Sequence, residues 1–281
     1  MNLTRRAFFA TAGMTTATIA SSNILSSEAS AQEKSKSGNV LFDLGTASYS
    51  FRKFSVEKLI EWTKRADLKY VSIKDFHLPL NTGDEECARF SERFQEAGIK
   101  VYSCGVIYMN DEKSVENAFR YAQALGCVSI VGVPAWDLLP FVEKKVKETG
   151  ILMAIHNHGP GDKLYPSAAS IMEKVKDMDP GIGITLDIGH SVRINEDPAQ
   201  VIRDFAPRIF DFHFKDMNKA APEGKGVICG RGVIDLPGLV DALIEIGYNR
   251  VASFEYEIDE DDPFPGFMAS VGYIRGLCER S

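Results

Sequence analysis

The chain has 281 residues, 44% of them hydrophobic and 25% charged, and its formal net charge is −7. These proportions belong to a globular protein long enough to bury a core without disulfides. An acidic chain with no Lys/Arg block is a poor match for phosphate backbones, so nucleic acid is excluded as the expected partner.

In chain order, the first element is not part of a fold. Arg5-Arg6, a short Thr-rich apolar run and Ala29-Ser30-Ala31 make residues 1–31 an export signal that resembles the twin-arginine type. The run is too short to span a bilayer, so no membrane span is expected. The mature chain is expected to begin near Gln32 and to be periplasmic or otherwise exported. Residues 32–38 read as a polar linker, and 39–281 as one domain.

From there short apolar runs alternate with amphipathic stretches. "LFDLGTASYS" is the first strand candidate, and Ser55 opens a helix with Val56, Leu59, Ile60 and Thr63 on one face. "YVSIKDF" is the second strand, followed by a helix from about Asp84 to Ala97 that Gly98 stops. "KVYSCGVIY" precedes a helix from Ser114 to Leu125; "CVSIVGVP" precedes the mostly helical "WDLLPFVEKKVKETG". "ILMAIHNHG", "IGITLDIGH" and "IFDFHFKD" are strands five to seven. A long loop carrying glycines and lysines then leads to the helix "LPGLVDALIEIG". "RVASFEYE" is strand eight, and "GFMASVGYIRGLCE" is the last helix. Eight strand–helix units in about 250 residues predict an α/β fold, a single (β/α)8 TIM barrel. A doubly wound open sheet is the alternative, but no G-x-G-x-x-G follows an early strand. Cys87, Cys104, Cys127, Cys229 and Cys278 form no C-x-x-C pair, so they read as buried thiols.

Such barrels carry their active sites at the C-terminal ends of the strands. All five histidines fall there and none in an expected helix: His77 after strand two, His156 and His158 on strand five, His190 after strand six, His213 on strand seven. Strand alternation turns Lys74, His156, His158, Asp187, Asp211, His213, Lys215, Glu255 and Glu257 toward the barrel axis. Two carboxylates side by side would repel and pay desolvation without a cation. Imidazole plus carboxylate suits one divalent ion, Zn, Mn, Co or Fe rather than Mg alone. The alternative is a metal-free ion network using Lys74, Lys215 and Arg231.

Asp187-Ile188-Gly189-His190, His213-Phe214-Lys215-Asp216, Gly230-Arg231-Gly232-Val233-Ile234-Asp235 and Glu255-Tyr256 resemble the xylose-isomerase-like barrels. That family includes sugar phosphate isomerases and epimerases, inosose dehydratase and endonuclease IV. The resemblance covers essentially the whole mature chain. It implies that Asp187, His213 and Glu255 bind a divalent metal, and that His190 and Arg231 touch substrate. In the epimerases, strand five ends in a glutamate that binds metal and moves a proton; here that position is His156. His156 is therefore expected to complete the metal shell and His158 to face substrate, or the two to exchange roles.

The expected partner is a small-molecule carbohydrate, and a homo-oligomer is compatible with the sequence. The expected chemistry is metal-assisted proton transfer beside a carbonyl, as in a sugar isomerase or epimerase. A lyase or hydratase acting on a keto-sugar such as a 3-keto-glycoside is the second reading; export and the His-Asn-His stretch favour it. A non-catalytic sugar-binding barrel is the third. His158, then His190, is expected to be the catalytic base, because imidazole needs little perturbation to be unprotonated near neutral pH. Lys74 would need strong desolvation for that role. His77, Lys215, Arg231 and Glu257 are expected to meet substrate.

Overall fold

A computed structural model describes residues 40–280. The export signal and linker expected at 1–38 lie outside the described residues. Ten strands are present among these: β1 (Asp43–Ala47), β2 (Tyr70–Ile73), β3 (Lys100–Met109), β4 (Ser129–Pro134), β5 (Leu152–His156), β6 (Ile182–Asp187), β7 (Ile209–Phe214), β8 (Asp216–Met217), β9 (Gly226–Val227) and β10 (Val251–Phe254). The helices are α1 (Val56–Arg65), α2 (Asp84–Glu96), α3 (Glu112–Leu125), α4 (Leu139–Thr149), α5 (Ala168–Val175), α6 (Ile188–Arg193), α7 (Pro198–Phe205), α8 (Leu236–Glu245) and α9 (Phe264–Glu279).

β1 to β7 and β10 close into one barrel in sequence order, every pairing parallel. β4, β6, β7 and β10 are buried along their whole length, as parallel strands between a packed interior and a helical coat must be. The helices start where a short polar side chain can accept a first-turn N–H. Ser55 accepts from Lys58, Ser167 from Ser170 and Asp235 from Gly238. Asp111 and Ser114 form a reciprocal capping box, so α3 begins two residues before the expected Ser114. Between the first and last units of the barrel, aromatic rings fill the coat. Phe51 lies 4.9 Å from Trp62 and 4.8 Å from Phe267, and Phe264 stacks on Trp62 at 5.2 Å. Complete burial of one such ring is worth about 2–3 kcal/mol. No helix of the described residues is long and apolar enough to cross a membrane.

The strands end earlier than their apolar runs suggested, and this matters at the mouth. β2 stops at Ile73, β5 at His156 and β10 at Phe254, which leaves Lys74, His158, Glu255 and Glu257 beyond their strands. His190 was placed outside any helix; instead it lies in α6, because Asp187 caps a short helix immediately after β6 by accepting from His190 N at 2.9 Å. The loop after β7 is also more ordered than expected, with β8 and β9 pairing antiparallel as a small ribbon.

Below the mouth the barrel interior is polar. The Tyr102 hydroxyl donates to Asp211 Oδ1 at 3.0 Å, and Ser72 Oγ meets Ser103 Oγ at 3.1 Å. Asp211 thus points inward as alternation requires, but into this floor rather than the mouth.

Candidate metal centre

Register builds the centre. Asp187 on β6 pairs with His213 on β7, and His213 pairs with Ser253 on β10. Glu255, two residues beyond Ser253, therefore rises on the same face as His213. His156 closes the set from the end of β5. Ligand atoms of His156, Asp187, His213 and Glu255, all buried, lie within 4.8 Å of one another.

The spacing fits a cation. His156 Nε2 is 3.3 Å from His213 Nδ1 and 3.6 Å from Asp187 Oδ2. His213 Nδ1 is 3.7 Å from Asp187 Oδ2 and 3.4 Å from Glu255 Oε2. Donors bound to one tetrahedral zinc at ordinary Zn–N and Zn–O lengths stand about 3.4 Å apart. Asp187 Oδ2 is also buried without a well-formed hydrogen bond, although three imidazoles lie 3.6 to 4.0 Å from it and the Lys215 ammonium 2.8 Å. A buried carboxylate oxygen facing two imidazole nitrogens is a donor set for a divalent ion. In one respect the shell departs from common practice: His156 Nδ1 and His213 Nε2, the ring nitrogens turned away from the cluster, have no partner.

Lys215 stands at the wall of this cage. Its ammonium lies 2.8 Å from Asp187 Oδ2, 2.7 Å from Glu255 Oε2 and 3.1 Å from Glu257 Oε2. The approach to Glu255 has hydrogen-bond geometry, whereas that to Asp187 is a close charge contact. Burial pushes the carboxyls of Asp187 and Glu255 up, but Lys215 and the histidines outweigh it and hold both well below the usual range. Burial lowers His213, yet Glu255, Asp187 and Asp211 raise it to about 10. Without a metal, then, His213 carries a proton and shares with Lys215 the task of neutralising two carboxylates. A metal ion must displace that proton.

Two further histidines border the cage. The His158 ring is centred 4.5 Å from that of His156, and the His190 ring 5.8 Å from it. Burial first, then the neighbouring His156 and His190, lowers His158 to about 4. Burial also brings His190 to about 4, with Lys215 and His156 acting in the same direction against Asp187. Both rings are neutral near pH 7 and can accept or donate one proton.

Of the residues the sequence placed at the mouth, the structure brings together His156, Asp187, His213, Glu255, Lys215, Glu257, His158 and His190. No hydrogen bond or ion pair joins Lys74, His77 or Arg231 to them among the described residues. The Lys74 ammonium donates to Val106 O, and its backbone N donates to Ser48 Oγ at 2.8 Å. His77 is buried with Nε2 3.2 Å from Phe54 O. Arg231 is exposed and lines an outer cavity with Ile228 and the acidic run Asp259–Asp262.

Sequence reasoning missed four residues here. Asn157 alternates away from the axis and grips β6: its Nδ2 donates to Asp187 O at 3.1 Å, and Asp187 N donates to its Oδ1 at 2.9 Å. Its position between two rim histidines was the available signal. Tyr108, 53% exposed on β3, sets its hydroxyl 3.1 Å from His158 Nε2. Arg193, treated below, contacts His190. Asp216 organises the Gly230–Ile234 loop, accepting from Gly230 N at 3.0 Å, Gly232 N at 2.8 Å and Ile234 N at 3.2 Å. A Cβ on Gly232 would come 2.1 Å from Asp216 Oδ1, which explains the glycine.

Comparison with known proteins agrees with this fold. The family model described as the xylose isomerase-like TIM barrel matches residues 60–277. The crystal structure of the IolI protein, which binds a zinc atom, superposes with a TM-score of 0.71 at 17% identity, covering 85% of this chain and 99% of IolI. L-ribulose 3-epimerase gives 0.68 at 19% identity, covering 85% and 95%. The probable 3-DHS dehydratase AsbF of Bacillus anthracis gives 0.69 at 14% identity, covering 83% and 99%. At such identities these likenesses show the fold. A curated relative, YihM of Escherichia coli (strain K12), is 21% identical over 197 residues, 64% of this chain; the match spans 59% of YihM.

Proposed function

The chain belongs to the xylose isomerase-like TIM barrel family, and from that premise we propose that it is a divalent-metal-dependent enzyme moving a proton beside a carbonyl of a sugar or keto-sugar, in the manner of an isomerase or epimerase. The observation that carries this reading is the buried His156–Asp187–His213–Glu255 set, with neighbouring donor atoms 3.3 to 3.7 Å apart. A divalent ion held there would stabilise negative charge on a substrate oxygen. Zn, Mn, Co or Fe suits the two imidazoles better than Mg.

The chain's own residues supply the rest. Lys215 adds positive charge to the cage wall and keeps Asp187 and Glu255 ionised. His158, neutral and next to the cage, takes the proton from the substrate carbon and returns it. The Tyr108 hydroxyl, 3.1 Å from its Nε2, helps hold the ring in place. The IolI structure with its zinc atom and the epimerase fold support this reading by likeness.

His156 favours a second outcome from the same first step. With histidine in place of the glutamate that serves as the second proton carrier of epimerases, reprotonation on the opposite face lacks its carboxylate. A group β to the carbonyl would then depart with its bonding electrons, which is a lyase or hydratase reaction on a keto-sugar. Export through the Arg5-Arg6 segment would fit unphosphorylated substrates of this kind. Incubation of the manganese- or zinc-loaded protein with ketoses, aldoses and 3-keto-glycosides in deuterated water tests both. Deuterium in a sugar of unchanged formula establishes isomerisation, and release of water or an aglycone establishes elimination. Neither product from any of these sugars would overturn the reading.

A further inference from the structure

Arg193, the last residue of α6, has its guanidinium on two targets. Nε and Nη2 both donate to Pro222 O, at 2.9 and 2.7 Å. Nη1 lies 3.3 Å from His190 Nδ1. Pro222 belongs to the turn of the β8–β9 ribbon, which is closed by Asn218 N on Lys225 O at 2.9 Å and Gly224 N on Ala221 O at 2.8 Å. One side chain therefore joins the ribbon turn to a histidine beside the metal cage.

The contact has a chemical consequence. A guanidinium only donates hydrogen bonds, so His190 Nδ1 must accept, and in the neutral ring the proton then resides on Nε2. Nε2 lies 4.0 Å from Asp187 Oδ2, too far for a hydrogen bond. Its N–H is left without a protein partner among the described residues.

We propose that Arg193 is a positioning residue that fixes His190 as the Nε2–H tautomer, so that His190 presents a hydrogen-bond donor to the substrate, and that it does so only while the ribbon turn is seated on it. His190 is then the group that polarises a substrate oxygen by donating a hydrogen bond to it, and the role of base falls to His158 alone. A ribbon lifted from Arg193 would free His190 to exchange tautomers, which couples this loop to the state of the site. The tautomer and the ribbon contact stand by themselves; only the donor role toward a sugar oxygen rests on the function proposed above.

Two-bond nitrogen–proton NMR correlations of the histidine rings, recorded on metal-free and zinc-loaded full-length protein at neutral pH, read the tautomer directly. The wild-type spectrum should show His190 with Nδ1 bare and Nε2 protonated; a protonated Nδ1 overturns the proposal without any variant. Arg193→Met, which keeps length but no donor, should lose the single tautomer, and Arg193→Lys, which restores a donor for Nδ1, should recover it. An unchanged His190 pattern in Arg193→Met overturns the proposal. The ribbon turn at residues 218–225 should be cut at least about tenfold faster by protease in Arg193→Met, from the loss of charged hydrogen bonds; equal cutting overturns the coupling. Failure of the deuterium experiment would remove the sugar reading and leave these two results intact.

Discussion

Two stretches of the barrel rim carry the same kind of sequence and do different things. On the β5–β6–β7–β10 side, His156, Asp187, His213 and Glu255 meet one another. On the β2 side, Lys74 and His77 also follow an apolar run, yet both spend their polar atoms on backbone carbonyls, of Val106 and Phe54. The difference lies in the partners each side chain meets. His156, Asp187 and His213 are still within their strands, where alternation fixes the inward face, and Glu255 follows Phe254 directly. Lys74 follows Ile73 as directly as Glu255 follows Phe254, but its ammonium donates to Val106 O and lies 3.7 Å from Asp75 Oδ1. Polar residue type and strand position name a rim candidate; the partners within its reach decide what it does.

The sharpest way to break this comparison is to empty the centre. Asp187→Ala removes the carboxylate that faces three histidines and Lys215. Bound metal, measured by elemental analysis, should fall to background. Metal-free stability should drop far less than for an unpaired buried charge, because Lys215 keeps Glu255 and Glu257. Full metal occupancy would mean that Asp187 is not a ligand and that its partner is Lys215.

A catalytic contrast comes next. His158→Ala should lower turnover by about 10²–10⁴-fold with metal retained, the range for loss of a general base. Lys74→Met should change turnover less than about tenfold, below that range. If the two variants lose comparable activity, the β2 rim takes part in the chemistry and the division drawn above is wrong.

Most of the architecture was legible because eight amphipathic units leave little choice but a closed barrel. The metal set was legible because alternation along "TLDIGH", "FDFHFKD" and "SFEYE" needs no tertiary information. Other features depended on what the sequence does not carry. The helical start at Ile188 required knowing that the Asp187 side chain turns back to cap His190 N. Asn157 and Asp216 act on backbone groups of distant residues, at sequence separations of 30 and up to 18, and no periodicity marks such a partner.

Asn157 offers a smaller effect on the same side of the rim. It holds the backbone of Asp187 from both sides, as residues behind a metal ligand commonly do. Asn157→Ala should weaken zinc binding about 10–100-fold while leaving the four ligands in place. Titration against a chelator of known affinity measures this, and unchanged affinity would mean that β6 alone fixes Asp187.

The smallest effect belongs to the other rim. His77 gives up one hydrogen bond to Phe54 O and a ring contact with Phe76 at 4.7 Å when replaced by alanine. A neutral buried hydrogen bond is worth about 0.5–1.5 kcal/mol. Burial lowers the ring below its ordinary value, so it folds uncharged and adds no ion pair to lose. His77→Ala should therefore cost about 1–2 kcal/mol in denaturant unfolding, a Tm decrease of about 2–8 °C at this chain length. Zinc affinity and turnover should match the wild type, because none of the contacts of His77 leads to the cage. Loss of either would show that a structural histidine in the loop after β2 supports the centre from across the barrel, and the two rims would no longer be separate.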